Sequence, residues 1–340
     1  MRLDLLMSSR FVKSIAFEIW PSGFTRTIAI ASLFLMFAST PPRSQSVPEL
    51  GNADIKEQAR GVLAILGLSV VPSESASAIS VNTGNDTEFQ AYQIGGAVTP
   101  DDAVPIYLEG YFGVARYDPS YLATSGTASA TVGAKWTSYA GTAGVGWNAE
   151  ITEELSLRPI ANFSLGHATS DATLIGDAIG GLATTRAARE DLEFLKSGNL
   201  NAYGIGGSLL LDWERYREAY ELDVEVRYTH LHLQSFGGTS KAVRGSAKAI
   251  NLGAWTRYRQ PIGLTLFDRP VRGVAEASAA WLIGDQSVAL GADWIGSAGL
   301  GIEAELSAIE NSPVSRVRIM GRGVFGVDVS GFSIGLGLTF

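Results

Sequence analysis

The chain has 340 residues, 39 of them glycine and none cysteine, with 46% hydrophobic and 18% charged residues and a formal net charge of −8. No uninterrupted apolar run approaches the ~20 residues that a spanning helix needs, so a helical membrane protein is excluded and the apolar content must be spread as alternation. The acidic balance argues against nucleic-acid partners, and the lack of cysteine is compatible with passage through an oxidising compartment.

At the amino terminus Arg2, Arg10, Lys13 and Arg26 precede the apolar run Ile28–Ala38, whose eleven residues are too short to span a bilayer but suit the core of an export signal. Residues 1–46 are therefore read as a signal peptide, with Ser44 and Ser46 as small residues before a cut at Val47, and Met7 as an alternative start. Removing them takes away Arg2, Arg10, Lys13, Arg26 and Arg43 against Asp4 and Glu18, which lowers the net charge from −8 to −11.

Residues 47–75 form a pre-barrel segment. Within it Asp54–Leu68 sets Ile55, Ala59, Val62, Leu63 and Leu66 at helical spacing opposite Lys56, Glu57 and Arg60, with Asp54 as a cap. Such a helix could plug a pore or stay outside it as a free lead. The serine-rich stretch Pro72–Ser80 then links it to the strands.

From residue 76 to 340 the period changes to two. Strands are expected at Ala76–Asn82, Glu88–Val98, Ile106–Arg116, Ser138–Glu150, Leu155–His167, Leu200–Trp213, Tyr220–Phe236, Ala247–Arg259, Val271–Ile283, Trp294–Leu306, Ser315–Val327 and Ser330–Phe340. That makes an all-β antiparallel transmembrane barrel of about twelve strands, with ten or fourteen as alternatives. Their length suits tilted strands crossing an apolar layer of ~25 Å. The connections Thr99–Pro105, Ile151–Glu154, Glu214–Ala219, Gln260–Pro270 and Ser307–Val314 are short and fall on the side where the chain ends. The long ones, Tyr117–Thr137 and Ala168–Asn199, fall on the other, which makes the first side periplasmic and the second external.

Along Tyr220–Tyr228 the even positions are Tyr220, Leu222, Val224, Val226 and Tyr228, and the odd ones are Glu221, Asp223, Glu225 and Arg227. Four consecutive charges on one face cannot meet hydrocarbon, so that face is luminal. Tyr220 and Tyr228 lie roughly 20 Å apart along the membrane normal at ~3.3 Å rise, which suits two aromatic girdles. Trp147, Trp213, Tyr258, Trp281 and Trp294 occupy comparable positions. The same phase makes Glu109, Glu150, Arg158, Asp212, Arg257, Arg259, Arg272, Glu276, Glu303, Glu305, Arg316, Arg318 and Arg322 luminal candidates. Their mixed signs admit a structural ion-pair network or an ion filter.

No catalytic, cofactor or metal site is expected. His167, His230 and His232 are the histidines. His167 with Ser170 and Asp171 would be the one imaginable hydrolase site, and His230-x-His232 could bind a metal but lacks an evident third ligand. Asp101-Asp102 follows Thr99-Pro100 and reads as a turn.

The last strand alternates without error: Phe332, Ile334, Leu336, Leu338 and Phe340 against Gly331, Ser333, Gly335, Gly337 and Thr339. Its ending, with Ser333, Gly335, Leu338 and a terminal Phe340, resembles the carboxy-terminal signal that hands bacterial outer-membrane barrels to their assembly machinery. A helix followed by about twelve such strands is similar, over roughly residues 50–340, to the translocator barrel of autotransporters, and most of all to solitary autotransporter-like barrels. About thirty residues separate the expected cleavage site from the first strand, where autotransporters carry a passenger of hundreds, so passenger secretion is not implied. The resemblance implies residence in the outer membrane of a Gram-negative bacterium, among its lipid and lipopolysaccharide, and handling by the assembly machinery. A monomer is expected. The function this suggests is a non-enzymatic translocator-like barrel without a large passenger, with a small pore for ions or solutes as the first alternative and a barrel hydrolase as the second.

Overall fold

The computed structural model describes residues 62–63, 66–67, 77–83, 87–100, 104–118, 120–125, 128–175, 198–239, 244–266, 269–306 and 315–339, all within one compact unit, Pro42–Phe340. The expected signal peptide, Asp101-Asp102 and Phe340 lie outside the described residues.

Fourteen strand segments follow one another: β1 (Ser77–Thr83), β2 (Thr87–Val98), β3 (Ile106–Asp118), β4 (Ser120–Ser125), β5 (Ala128–Trp147), β6 (Ala149–Thr152), β7 (Leu155–Ile175), β8 (Asn199–Arg217), β9 (Tyr220–Phe236), β10 (Ser246–Leu266), β11 (Arg269–Ile283), β12 (Trp294–Glu305), β13 (Arg316–Gly326) and β14 (Val329–Thr339). Each pairs antiparallel with its neighbours, β14 returns to pair with β1, and β5 pairs with β7, so the sheet closes. Two segments extend existing strands rather than adding to the ring. β4 continues the β3 pairing along β5, and β6 continues the β5 pairing along β7. The closed ring therefore has twelve strands. With both first and last strands paired, no row of backbone donors and acceptors is left open, which is the condition for a sheet to sit in lipid.

Alternation sorts the side chains. On β14 the bulky row is exposed, Ile334 at 58% and Leu336 at 59%, while Val329, Ser333 and Gly335 face inward and are buried. Ile94, Ile205, Leu300 and Ile319 are exposed in the same way around the ring. This outer belt suits hydrocarbon as solvent. Tyr220 stacks on Tyr258 with ring centroids 5.9 Å apart, and Trp294 meets Phe325 edge-on at 6.2 Å. Trp147, Tyr228 and Trp281 are exposed on the outer face.

Several boundaries differ from the sequence reading, among them β8, which runs through Glu214 to Arg217. Tyr117–Thr137 is not a loop throughout: β4 and β5 carry the hairpin on beyond Thr137, since the Ser, Thr, Ala and Val of this stretch pair readily and β7 runs alongside as far as Ile175. β7 for the same reason extends well past His167. β10 continues through Pro261 to Leu266, because a register shift between Pro261 and Leu264 absorbs the missing N–H, with Gly263 at φ +74 supplying the left-handed residue.

One element was not foreseen. A short helix, α1 (Asp285–Leu290), joins β11 to β12 between Gly284 and Gly291, both at positive φ. It packs Leu290 into a cluster with Val81, Phe89, Ala115, Leu282 and Val324, and Tyr117 Oη donates to the Ala289 carbonyl at 3.1 Å. α1 thus covers part of the barrel mouth opposite the end where β1 starts and β14 stops.

Candidate functional site

The lumen is the one place where the chain concentrates chemistry, and it is built in layers. In the half nearer the start of β1 and the end of β14, charged rows of β9 to β13 converge. Glu221 accepts from Arg272 at 2.7 Å, from Arg316 at 2.9 Å and pairs with Arg259 at 3.3 Å. Asp223 pairs with Arg259 at 2.5 Å and Arg257 at 3.6 Å. Glu276 accepts from Arg257 at 2.7 Å and Arg322 at 2.8 Å, with Arg318 at 3.6 Å. Glu303, opposite Arg318 in the register, accepts from it at 3.3 Å, and Glu305, opposite Arg316, pairs with Arg272 at 3.5 Å. Each guanidinium offers five donors in a rigid fork, so one arginine bridges two carboxylates from different strands. Such sharing offsets the desolvation that each charge suffers inside the wall.

The bare polar face of the last strand has its explanation here. A Cβ at Gly337 would lie 2.8 Å from Arg318 Nη2, and one at Gly335 would strike the Arg322 guanidinium. The two glycines are the seats of these arginines. Glu225 lines a cavity of about 20 Å³ with Asp223, Trp255, Arg257 and Glu276, room for about one water. Glu150 is exposed on β6, away from the network.

A second layer crosses the lumen from β3 to β9. Arg227 donates to both oxygens of Glu109, at 2.9 and 2.7 Å, and to Ser208 at 3.0 Å. Asn162 donates to Glu109 at 2.7 Å and accepts from Ser208 at 2.7 Å. Gly144 leaves the space, since a Cβ there would lie 2.5 Å from Glu109 Cγ. Beside it Arg158 pairs with Asp212 at 2.7 Å and lies over the Tyr107 ring. Asn162, Ser208 and Gly144 escaped the sequence reading, which followed charge alone. Their signal was a polar or small residue at the inward phase of otherwise apolar strands.

The third layer is apolar. Ala168, Leu200, Ala202, Leu231, Leu233, Ala247 and Ala249 are buried at the inward phase of β7 to β10. Into them fits a helical turn of the pre-barrel segment: Val62, Leu63, Leu66 and Gly67 are helical, and Val62, Leu63 and Leu66 are buried. A Cβ at the inward-facing Gly166 of β7 would lie 2.6 Å from Leu66 Cδ2, and one at Gly67 would lie 2.7 Å from Ala249 Cβ and 3.4 Å from the buried Gln286 of α1. This part of the expected helix is therefore inside the barrel. Ile55 and Ala59 lie outside the described residues.

His167 and Ser170 lie three positions apart on β7 and so point to opposite faces. His167 shares a 2.8 Å hydrogen bond with Asn201 Oδ1, and the buried Ser170 accepts from the Gly198 N–H. His230 and His232 are exposed on the outer face of β9. Among the described residues no group of three potential metal ligands is present. Of the terminal motif, Ser333 and Gly335 face inward and Leu338 is exposed on the belt.

No known family profile matches the chain, and no curated protein matches it by sequence. In structure it is similar to the transport unit of the autotransporter AIDA-I from Escherichia coli, with a TM-score of 0.48 and 11% identity over 87% of this chain and 100% of that one. It is also similar to the translocator domain of the autotransporter NalP from Neisseria meningitidis, with a TM-score of 0.45 and 14% identity over 77% and 86%. A third likeness is to the β domain of the Bordetella autotransporter BrkA, with a TM-score of 0.44 and 12% identity over 77% and 96%.

Proposed function

We propose that the protein is a non-enzymatic outer-membrane barrel of translocator type whose own amino-terminal segment occupies the lumen, with the end bearing the termini in the periplasm. The observation that carries this reading is the seating of Leu66 against the inward-facing Gly166, with Val62 and Leu63 buried alongside. A luminal wall lined by Leu231, Leu233 and Ala249 has no reason to face open water. It is complementary to a helix that carries Val62, Leu63 and Leu66 on one face. The ion-pair layers support the same reading, because arginines that each pair with at least one carboxylate stiffen a wall and balance its charge, which leaves less net charge to select passing ions.

Planar-bilayer conductance of the chain from Val47 onward, against one lacking residues 47–70, tests it. A plugged translocator conducts little until the segment is removed. Conduction by both forms would instead establish a pore, and conduction by neither would leave a closed structural barrel. A second test uses the absence of native cysteine: Leu66→Cys with Gly166→Cys should form a disulfide in intact membranes, and failure to cross-link would remove the plug.

A further inference from the structure

α1, which partly covers the mouth opposite the start of β1, is a poor helix by itself. Its six residues are too few to persist without packing, its leading residue Gly284 supplies no side-chain cap, and Gly284 and Gly291 at its two ends hold φ +69 and +68. Glycines in that region turn the backbone without steric penalty and make ready hinges. Val288 is 77% exposed, while Gln286 and Leu290, one helical turn apart, are buried against the barrel. The element is fastened near its carboxy-terminal end: Leu290 lies in the apolar cluster with Leu282 and Val324, and the Tyr117 hydroxyl donates to the Ala289 carbonyl. At its start Asp285 accepts the Lys248 backbone N–H at 2.8 Å.

Gln286 is the residue that does not fit a plain cover. It is fully buried, yet neither its amide oxygen nor its amide nitrogen has a hydrogen-bond partner among the described residues. What it faces is the amino-terminal segment: a Cβ at Gly67 would lie 3.4 Å from Gln286 Nε2 and 3.0 Å from Leu233 Cδ1. The layer around it is apolar, with Leu66, Leu231 and Leu233 buried. A permanent seal would be better served by leucine, which has nearly the same volume and no polar atom to strip of water. An amide without a partner instead penalises the closed arrangement, and it regains water once α1 lifts or the segment leaves. The penalty acts on the closed state alone.

We infer that α1 is a releasable latch on the luminal segment: Gly284 and Gly291 are its hinges, Tyr117 and Leu290 hold it shut, and the unpaired Gln286 amide keeps the closed state shallow enough to open. The inference rests on the seating of that segment in the lumen, and its test separates the two.

The chain has no native cysteine, so Val62→Cys, at a position 4% exposed within the segment, supplies a reporter thiol. The chain from Val47 onward carrying it is held in neutral detergent micelles with a polar maleimide, and the labelling rate reads how often the segment is uncovered. With α1 unaltered, labelling should be far slower than in the same protein unfolded. Adding Tyr117→Phe, which removes the donor to Ala289, should speed it by about threefold or more, and adding Gln286→Leu should slow it by about threefold or more. Opposite signs mark a latch, since substitutions that merely loosened the fold would speed labelling in both. Heat-modifiable migration checks that each variant is folded, and should one fail to fold, the sign of the other decides. Smaller changes, or changes in the same direction, overturn the latch and leave the seated segment standing. Labelling as fast as in the unfolded chain, whatever stands at 286, overturns the seating and the latch with it.

Discussion

Arg227 and Glu109 meet across the lumen in a two-pronged ion pair, 2.9 and 2.7 Å, although 118 positions separate them in the chain. Both are buried, and Asn162 and Ser208 complete their hydrogen bonding. Removing one partner strands a charge in a dry wall. Glu109→Leu or Arg227→Leu alone should each cost about 3–5 kcal/mol, read from the urea unfolding midpoint in micelles. The double variant should recover much of that loss, and additive losses would show that the pair is not coupled.

The seats under the arginines make a contrast within neighbouring strands. Gly335→Val places side-chain atoms where the Arg322 guanidinium lies and should displace it from Glu276, costing about 1–3 kcal/mol. Gly321→Ala on β13, where a Cβ meets nothing, should change stability by less than about 0.5 kcal/mol. Equal effects at the two sites would mean that glycine is needed for the backbone and not for the arginine.

Charge reversal tests whether the luminal rows filter ions. Arg318→Glu would set a third carboxylate beside Glu303 and Glu276. The expectation is lower stability without a new ion preference. A shift toward cation selectivity with unchanged stability, measured in bilayers on the form lacking residues 47–70, would assign the row to filtration.

Orientation follows from labelling. Cysteines at Gly238 or within 176–197 should react with a membrane-impermeant reagent on intact cells, and one at Glu218, in the turn between β8 and β9, should not. The reverse pattern would invert the topology.

Phe340→Ala should reduce outer-membrane levels further than the ~2–3 kcal/mol transfer value of one large apolar side chain explains, because the side chain would also be read during assembly. Quantitative immunoblotting of membrane fractions decides this, and unchanged levels would make the terminal motif incidental.

Period-two alternation by itself determined the strands and the face each residue presents, because a pleated strand has only two faces and lipid and lumen demand opposite chemistry. Tyr220–Phe236 coincides with β9 to the residue, and the turn Ser307–Val314 brings Glu303 and Glu305 against Arg316 and Arg318, with the register Glu303 to Arg318 set by the structure. What alternation cannot carry is which strands meet across the ring. That Arg316 reaches Glu221 from β13 to β9, that Gly144 and Gly335 are spaces for side chains on other strands, and that Leu66 lies against Gly166 depend on closure and curvature. α1 and the continuation of β10 through Pro261 also lay beyond local pattern. A six-residue helix is held by its contacts with Val81 and Phe89, and the bulge by pairing with β11, so tertiary packing decided both.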